Sequence, residues 1–256
     1  MPGTEEGADS GEQLILWARN GQLEDVTHFV NSRAIANDVM DRALWAASRN
    51  GRDGVVSFLI QTVAFPEDSI ENAVLEAAQQ GHANAMAPLL EAFSPLPDSV
   101  IIDAMNVAGE EGYEDVVRLL LEADLVPRNQ GALIRPALLA TQNEHVGVLR
   151  LLLATRRVPT REVVGLLMDA AMAGSVRTVR LLLEMRSFHM ETIVRAVDYS
   201  LRDGHVGVLS LLLEIPGIPL DELTSARWQE SDEVIELMTA RLTAYEHAGR
   251  TSGVSV

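Results

Sequence analysis

The stretch AMNVAGEEGYEDVVRLLLEA, residues 104–123, holds two apolar, helix-like halves split at a single glycine, Gly112. Neither half can stand alone, because isolated helices shorter than about 12–15 residues are marginal in water. Lining the chain up on Gly112 shows what could cover them. WARNGQLEDVTHFV turns at Gly21, AASRNGRDGVVSFLI at Gly51 and EAAQQGHANAMAPLL at Gly81. MAGSVRTVRLLL turns at Gly174 and LRDGHVGVLSLLL at Gly204, while ATQNEHVGVLRLLL has Glu144 at the pivot and ARWQESDEVIELM has Glu230. Successive pivots are 30, 30, 31, 32, 30, 30 and 26 residues apart, so the pattern is an internal repeat in eight copies.

The agreement extends to either side of the pivot. Four residues before it stand Trp17, Ala47, Ala77, Ala108, Ala140, Ala170, Ser200 and Ala226. Five after it stand Val26, Val56, Met86, Val117, Leu149, Val179, Leu209 and Ile235, and eight after it Phe29, Leu59, Leu89, Leu120, Leu152, Leu182, Leu212 and Met238. The last two positions are three apart and share one helix face. The small residue lets helix backbones approach, and a glycine after a helix end supplies the φ > 0 that a sharp turn needs. Each copy therefore reads as helix, tight turn, helix, with an apolar face that only a neighbouring copy can cover. The fold class expected is all-α, an αα-solenoid of about eight helix-turn-helix repeats over residues 12–246. Acidic residues 1–11 and residues 247–256 are expected to be disordered tails.

AAQQGHANAMAPLLEA and GEEGYEDVVRLLLEA resemble the ankyrin repeat, with its paired small residues, Gly-His turn and V-V-x-L-L-L second helix. Gly-His survives at Gly81-His82 and Gly204-His205, and His145 keeps the position after Glu144. These histidines are expected to be hydrogen-bonding partners at a helix start. The family's proline, eight residues before the pivot, is kept only as Pro136, with Ala43, Ala73, Ala104 and Ala196 elsewhere. Its Asp-Gly turns and Asp-Val-Asn finger segments are missing. Longer first helices are therefore expected, capped at Asp68 or Ser69, Asp98 or Ser99 and Thr160, with short Pro-containing loops in place of fingers. Pro88 should kink its helix. The alternative reading is another kind of αα-solenoid.

In the ankyrin family, contacts fall on the fingers and on the two residues before the pivot, which line a concave face. The resemblance carries this over to Arg19/Asn20, Arg49/Asn50, Gln79/Gln80 and Glu110/Glu111, then Gln142/Asn143, Met172/Ala173, Arg202/Asp203 and Trp228/Gln229. The second candidate surface comes from charge. The net charge of −17 is uneven: between Arg128 and Arg202 there are 11 Arg and 6 Asp/Glu, while the remainder has 9 Arg and 31 Asp/Glu. Arg150, Arg156, Arg157 and Arg161 straddle one inter-repeat loop, and Arg177, Arg180 and Arg186 follow in the next repeat. Clustered guanidinium groups fit a partner protein with an acidic surface. Nucleic acid is not expected, because the rest of the chain repels a polyanion.

No chemistry is expected. There is no Cys, no G-x-S-x-G, no H-E-x-x-H and no Gly-rich phosphate loop. The carboxylates of Glu110, Glu111, Glu114 and Asp115 lie on an expected solvent-facing turn, whereas a catalytic pair needs opposed, partly desolvated carboxyls. Catalytic residues, metal ligands and cofactors are all expected to be none. All 20 basic residues are Arg, which removes P-loop, Schiff-base and kinase-type lysines. Average composition would give on the order of 10–15 Lys in this length. GC-rich codon usage is one explanation; avoidance of lysine-directed tagging is the other. No apolar run approaches a bilayer span and residues 1–13 are polar, so a monomeric cytoplasmic protein is expected, or one delivered into a host cell if an effector.

Overall fold

The computed structural model describes residues 5–218, save 94 and 130, together with residues 232, 235–237, 239–241 and 243. Fourteen helices are delimited, and no β-strand occurs among the described residues. First helices of the repeats are α1 (Glu5–Asn20), α3 (Asn37–Arg49), α5 (Glu67–Gln79), α7 (Asp98–Glu111), α9 (Ile134–Gln142), α11 (Thr160–Met172) and α13 (Met190–Arg202). Second helices are α2 (Leu23–Ser32), α4 (Asp53–Thr62), α6 (Ala83–Ala92), α8 (Glu114–Glu122), α10 (Val146–Ala154), α12 (Val176–Met185) and α14 (Val206–Leu212). The first helices are mostly 13 residues or longer and the second helices 10 or shorter. The chain divides into two compact units, Met1–Pro136 and Ala137–Val256, where the sequence reading has one array over residues 12–246.

Within the first unit each helix pair packs on the next. The first helices α1, α3, α5 and α7 follow one another, as do the second helices α2, α4, α6 and α8. In the second unit α11 packs on α13, and α10, α12 and α14 follow one another. The burial pattern explains the order. First helices bury residues 11, 8, 7, 4 and 3 before the pivot, such as Met40, Ala43, Leu44, Ala47 and Ser48 of α3. That is the i, i+3, i+4, i+7, i+8 stripe of a helix with one apolar face. Ala43, Ala73, Ala104 and Ala196, which stand where the ankyrin pattern has proline, are all fully buried. There the small side chain lets the first helices approach closely. The positions five and eight after the pivot are buried from Val26 through Leu212. Ile235, expected in the core, is instead 37% exposed, and no described helix covers it.

Several local expectations change. Helix α1 begins at Glu5, inside the segment expected to be a disordered tail over residues 1–11. No proline interrupts residues 5–20, so a helix anchored by buried Leu14 and Ala18 propagates back. The caps also move. α5, α7 and α11 start one residue after Pro66, Pro97 and Pro159, and no side-chain cap bond forms at any of them. Each proline carbonyl accepts the first helical bonds, from Ser69 and Ile70, Val100 and Ile101, and Glu162 and Val163. The ring holds φ near its helix-entry value, so a capping hydroxyl is not needed to set the chain direction. Pro88, expected to kink its helix, lies inside α6, which continues past it to Ala92. Trp17, the large exception at its position, packs edge-on against Phe29 of the same repeat, with ring centres 5.6 Å apart. No helix among the described residues is long and apolar enough to cross a membrane.

Candidate partner-binding surface

The surface is built from the turn outward. The pivot glycines Gly21, Gly51, Gly81, Gly112, Gly174 and Gly204 all have φ between 65° and 83°, and Glu144 takes the same left-handed conformation at 58°. The residue after each pivot donates its N–H to the carbonyl four before it: Gln22 to Trp17, Arg52 to Ala47, His82 to Ala77 and Tyr113 to Ala108. His145 does so to Ala140, Ser175 to Ala170 and His205 to Ser200. This is the Schellman closure, which occupies one of the four carbonyls a helix end leaves unpaired.

The next carbonyls are taken by the neighbouring repeat. Arg52 Nε donates to the carbonyl of Arg19 at 3.0 Å, Tyr113 Oη to that of Gln79 at 3.4 Å, and His205 Nε2 to that of Met172 at 2.7 Å. A carbonyl only accepts, so His205 carries its proton on Nε2. The same side chains lie over the preceding glycine. A Cβ on Gly51 would stand 2.8 Å from His82 Nδ1, one on Gly81 2.7 Å from Tyr113, and one on Gly174 2.6 Å from His205 Nδ1. At Arg52, His82, Tyr113 and His205 the residue after the pivot is thus a clamp that seats on the previous turn. This coupling is visible in sequence as glycine followed a repeat later by Arg, His or Tyr, but it was not read there.

The clamp fixes the pairs before the pivot by their backbones and leaves their side chains outward. In the first unit Arg19, Asn20, Arg49, Gln79, Gln80, Glu110 and Glu111 are exposed, and Asn50 is half-buried. In the second unit Gln142, Asn143, Met172, Ala173, Arg202 and Asp203 are exposed. Some are already engaged. Asn50 and Asn143 bond back to the carbonyls of Ala46 and Leu139, Arg49 lies 3.7 Å from Glu76, and Arg202 contacts Asp203 at 3.2 Å. Glu110 also has a partner within the chain. Trp228 and Gln229 lie outside the described residues.

The Arg-rich segment is divided between support and surface. Arg186 is half-buried and bonds the carbonyls of Leu153, at 2.9 Å, and Met185. It ties two repeats together and is not a free contact residue. Arg150 lies 3.9 Å from Glu184, and Arg161 contacts Glu162 at 2.8 Å. Arg157 is half-buried and has a partner within the chain. Arg156, Arg177 and Arg180 are exposed, and Arg156 sits in the left-handed region at φ 58°. Exposed pairs of this kind contribute roughly 0–1 kcal/mol each, so a partner carboxylate could displace them at little cost.

A groove of about 310 Å³ opens beside α5, lined by apolar Ile70, Phe93 and Leu96 and by the carboxylates of Glu67 and Glu71. Among the described residues no group of three or more His, Asp or Glu is placed to hold a metal ion. No protein-family model matches the chain, and no curated protein compared with it is similar.

Proposed function

We propose that the chain is a non-catalytic protein–protein interaction scaffold, an ankyrin-like αα-solenoid that holds a partner protein on its helix-end row. The observation that carries this reading is the contrast between two sets of positions. Four and three residues before the pivot most repeats carry small buried side chains, Trp17 and Leu201 being the large exceptions, while one and two before it the mostly exposed residues change charge and size from repeat to repeat. Packing constrains the first set and leaves the second to recognition. The exposed Arg residues between 128 and 202 add a surface for an acidic partner. The test is capture of partners on the intact protein, repeated with Arg156, Arg157 and Arg161 changed together to Glu. Loss of a captured partner at unchanged helicity supports the Arg surface; equal capture removes it.

The lysine-free composition favours a second reading, in which this scaffold is an adaptor or delivered effector working beside ubiquitin-type tagging machinery. The measurement that separates it from codon bias is the Lys content of unrelated long proteins from the same source. If those also carry almost none, tag avoidance loses its basis.

A further inference from the structure

Gly165 sits in the interior of α11, where glycine costs roughly 1 kcal/mol relative to alanine. Two other helical glycines have a packing reason for their missing side chain. A Cβ on Gly109 would lie 2.6 Å from the Pro136 carbonyl, and one on Gly207 2.9 Å from Val176. A Cβ on Gly165 would meet nothing within 4 Å, and its φ is not in the left-handed region. Neither backbone conformation nor internal packing accounts for it.

The register around Gly165 is informative. It stands nine residues before its pivot, as Arg195 does on α13, the helix packed against α11. In the first unit the same register holds Glu12 and Arg42, which bond across repeats at 2.7 Å. In the second unit the acid is replaced by glycine, and exposed Arg195 has no ion pair among the described residues. One and two turns further along the same helices, at matching registers, come Asp169 and Tyr199, then Met172 and Arg202. Met172 is 43% exposed, and the Arg202 guanidinium lies 5.3 Å from the centre of the Tyr199 ring. Tyr, Arg and Met are enriched at protein interfaces.

We propose that the exposed face of α11 and α13 docks an extended acidic segment of a partner protein. Its main chain crosses the gap at Gly165 and a carboxylate pairs with Arg195. The absent side chain allows the close approach, and the guanidinium offers the fork a carboxylate accepts in two bonds. Asp169 repels acid from the C-terminal half of α11 and so fixes which way the segment lies. This rests on the scaffold reading above and names the partner chemistry of one part of it.

The first experiment is fluorescence anisotropy of the full chain with a short labelled Asp/Glu peptide bearing a central Leu-Phe, against its Arg/Lys counterpart. The acidic peptide should bind. Gly165→Gln and Arg195→Ala should each weaken it about tenfold or more, and Arg42→Ala should not. Gly165→Gln should unfold at the same temperature as the parent or higher, so lost binding cannot be lost folding. No binding of the acidic peptide, parent-like affinity in either variant, or equal binding of the basic peptide would overturn the proposal. The second experiment places a photo-crosslinking residue at position 169 or at position 111, in cell extract. A crosslink from 169 to an acidic segment of another protein supports the proposal. Crosslinks from 111 alone, or from 169 to a second copy of this chain, overturn it and leave the scaffold reading standing. None from either position removes both.

Discussion

Ser175 Oγ donates a 2.6 Å hydrogen bond to Glu144 Oε1, and the pair takes the place that Gly174 and His205 occupy one repeat later. At Gly51, Gly81 and Gly174 the ring of His82, Tyr113 and His205 in the next repeat lies directly on the glycine. Where the pivot carries a side chain, the next residue is a small hydroxyl that bonds to that side chain. Two exclusive solutions to one contact occur in adjacent repeats of the same chain.

The exclusion predicts a coupling. Gly174→Ala puts a Cβ into a left-handed residue and 2.6 Å from His205 Nδ1, and should cost about 2 kcal/mol or more in urea unfolding. His205→Ser should cost about 1 kcal/mol for the lost bond to Met172. The double variant should be more stable than the two costs added, by about 1 kcal/mol. Strict additivity would show that the ring does not occupy the space above the glycine.

Thr178 is fully buried in α12, and its hydroxyl has no hydrogen-bond partner. The equivalent residue is a buried valine in four other repeats, Val55, Val116, Val148 and Val208. Thr178→Val keeps the shape and removes an unpaired polar group, so it should raise stability by about 1 kcal/mol. A lower unfolding midpoint would mean that the hydroxyl is satisfied in solution.

Two arginines of the basic segment should separate in opposite directions. Arg186→Ala removes the bond to the Leu153 carbonyl and should lower stability by about 1–2 kcal/mol. Arg156→Gly relieves a left-handed residue at φ 58° and should raise it by about 0.5–1 kcal/mol. Thermal unfolding of both variants beside the parent checks the pair, and a loss at Arg156 would show that its side chain supports the fold.

Arg118 is exposed and pairs with Asp115 at 2.9 Å, so Arg118→Lys keeps the charge and adds the chain's one lysine amine. If lysine avoidance protects the protein, this variant should turn over faster than the parent in a lysate competent for ubiquitin transfer. Equal lifetimes would remove tag avoidance as a reason for the composition.

Much of the fold was legible because its determinants are periodic. The stripe of Ala47, Val56 and Leu59, repeated on a 30-residue spacing, required paired helices covered by their neighbours, and the pivots required φ > 0. Helix starts were misplaced by a residue or more. A capping hydroxyl and a proline carbonyl both begin a helix, and only the backbone shows that Pro66, Pro97 and Pro159 do so here. Of the candidate surface, the exposed pairs from Arg19/Asn20 to Arg202/Asp203 could be placed by register. Arg186 could not be told from Arg156 by composition, because what separates them is a carbonyl 33 residues away.

By itself, then, the sequence determined that the chain is helical, in pairs of short amphipathic segments, and acidic with one Arg-rich segment. Those properties are set by local periodicity and by charge count. The tertiary structure alone decided which polar side chains are spent on holding repeats together and which remain on the surface. Arg52, His205, Ser175 and Arg186 are taken up by carbonyls or carboxylates about one repeat before them, while Arg195 is left on the surface without an ion pair among the described residues. The physical reason is that a hydrogen bond across repeats depends on the distance between two chain segments, which no one-dimensional pattern specifies.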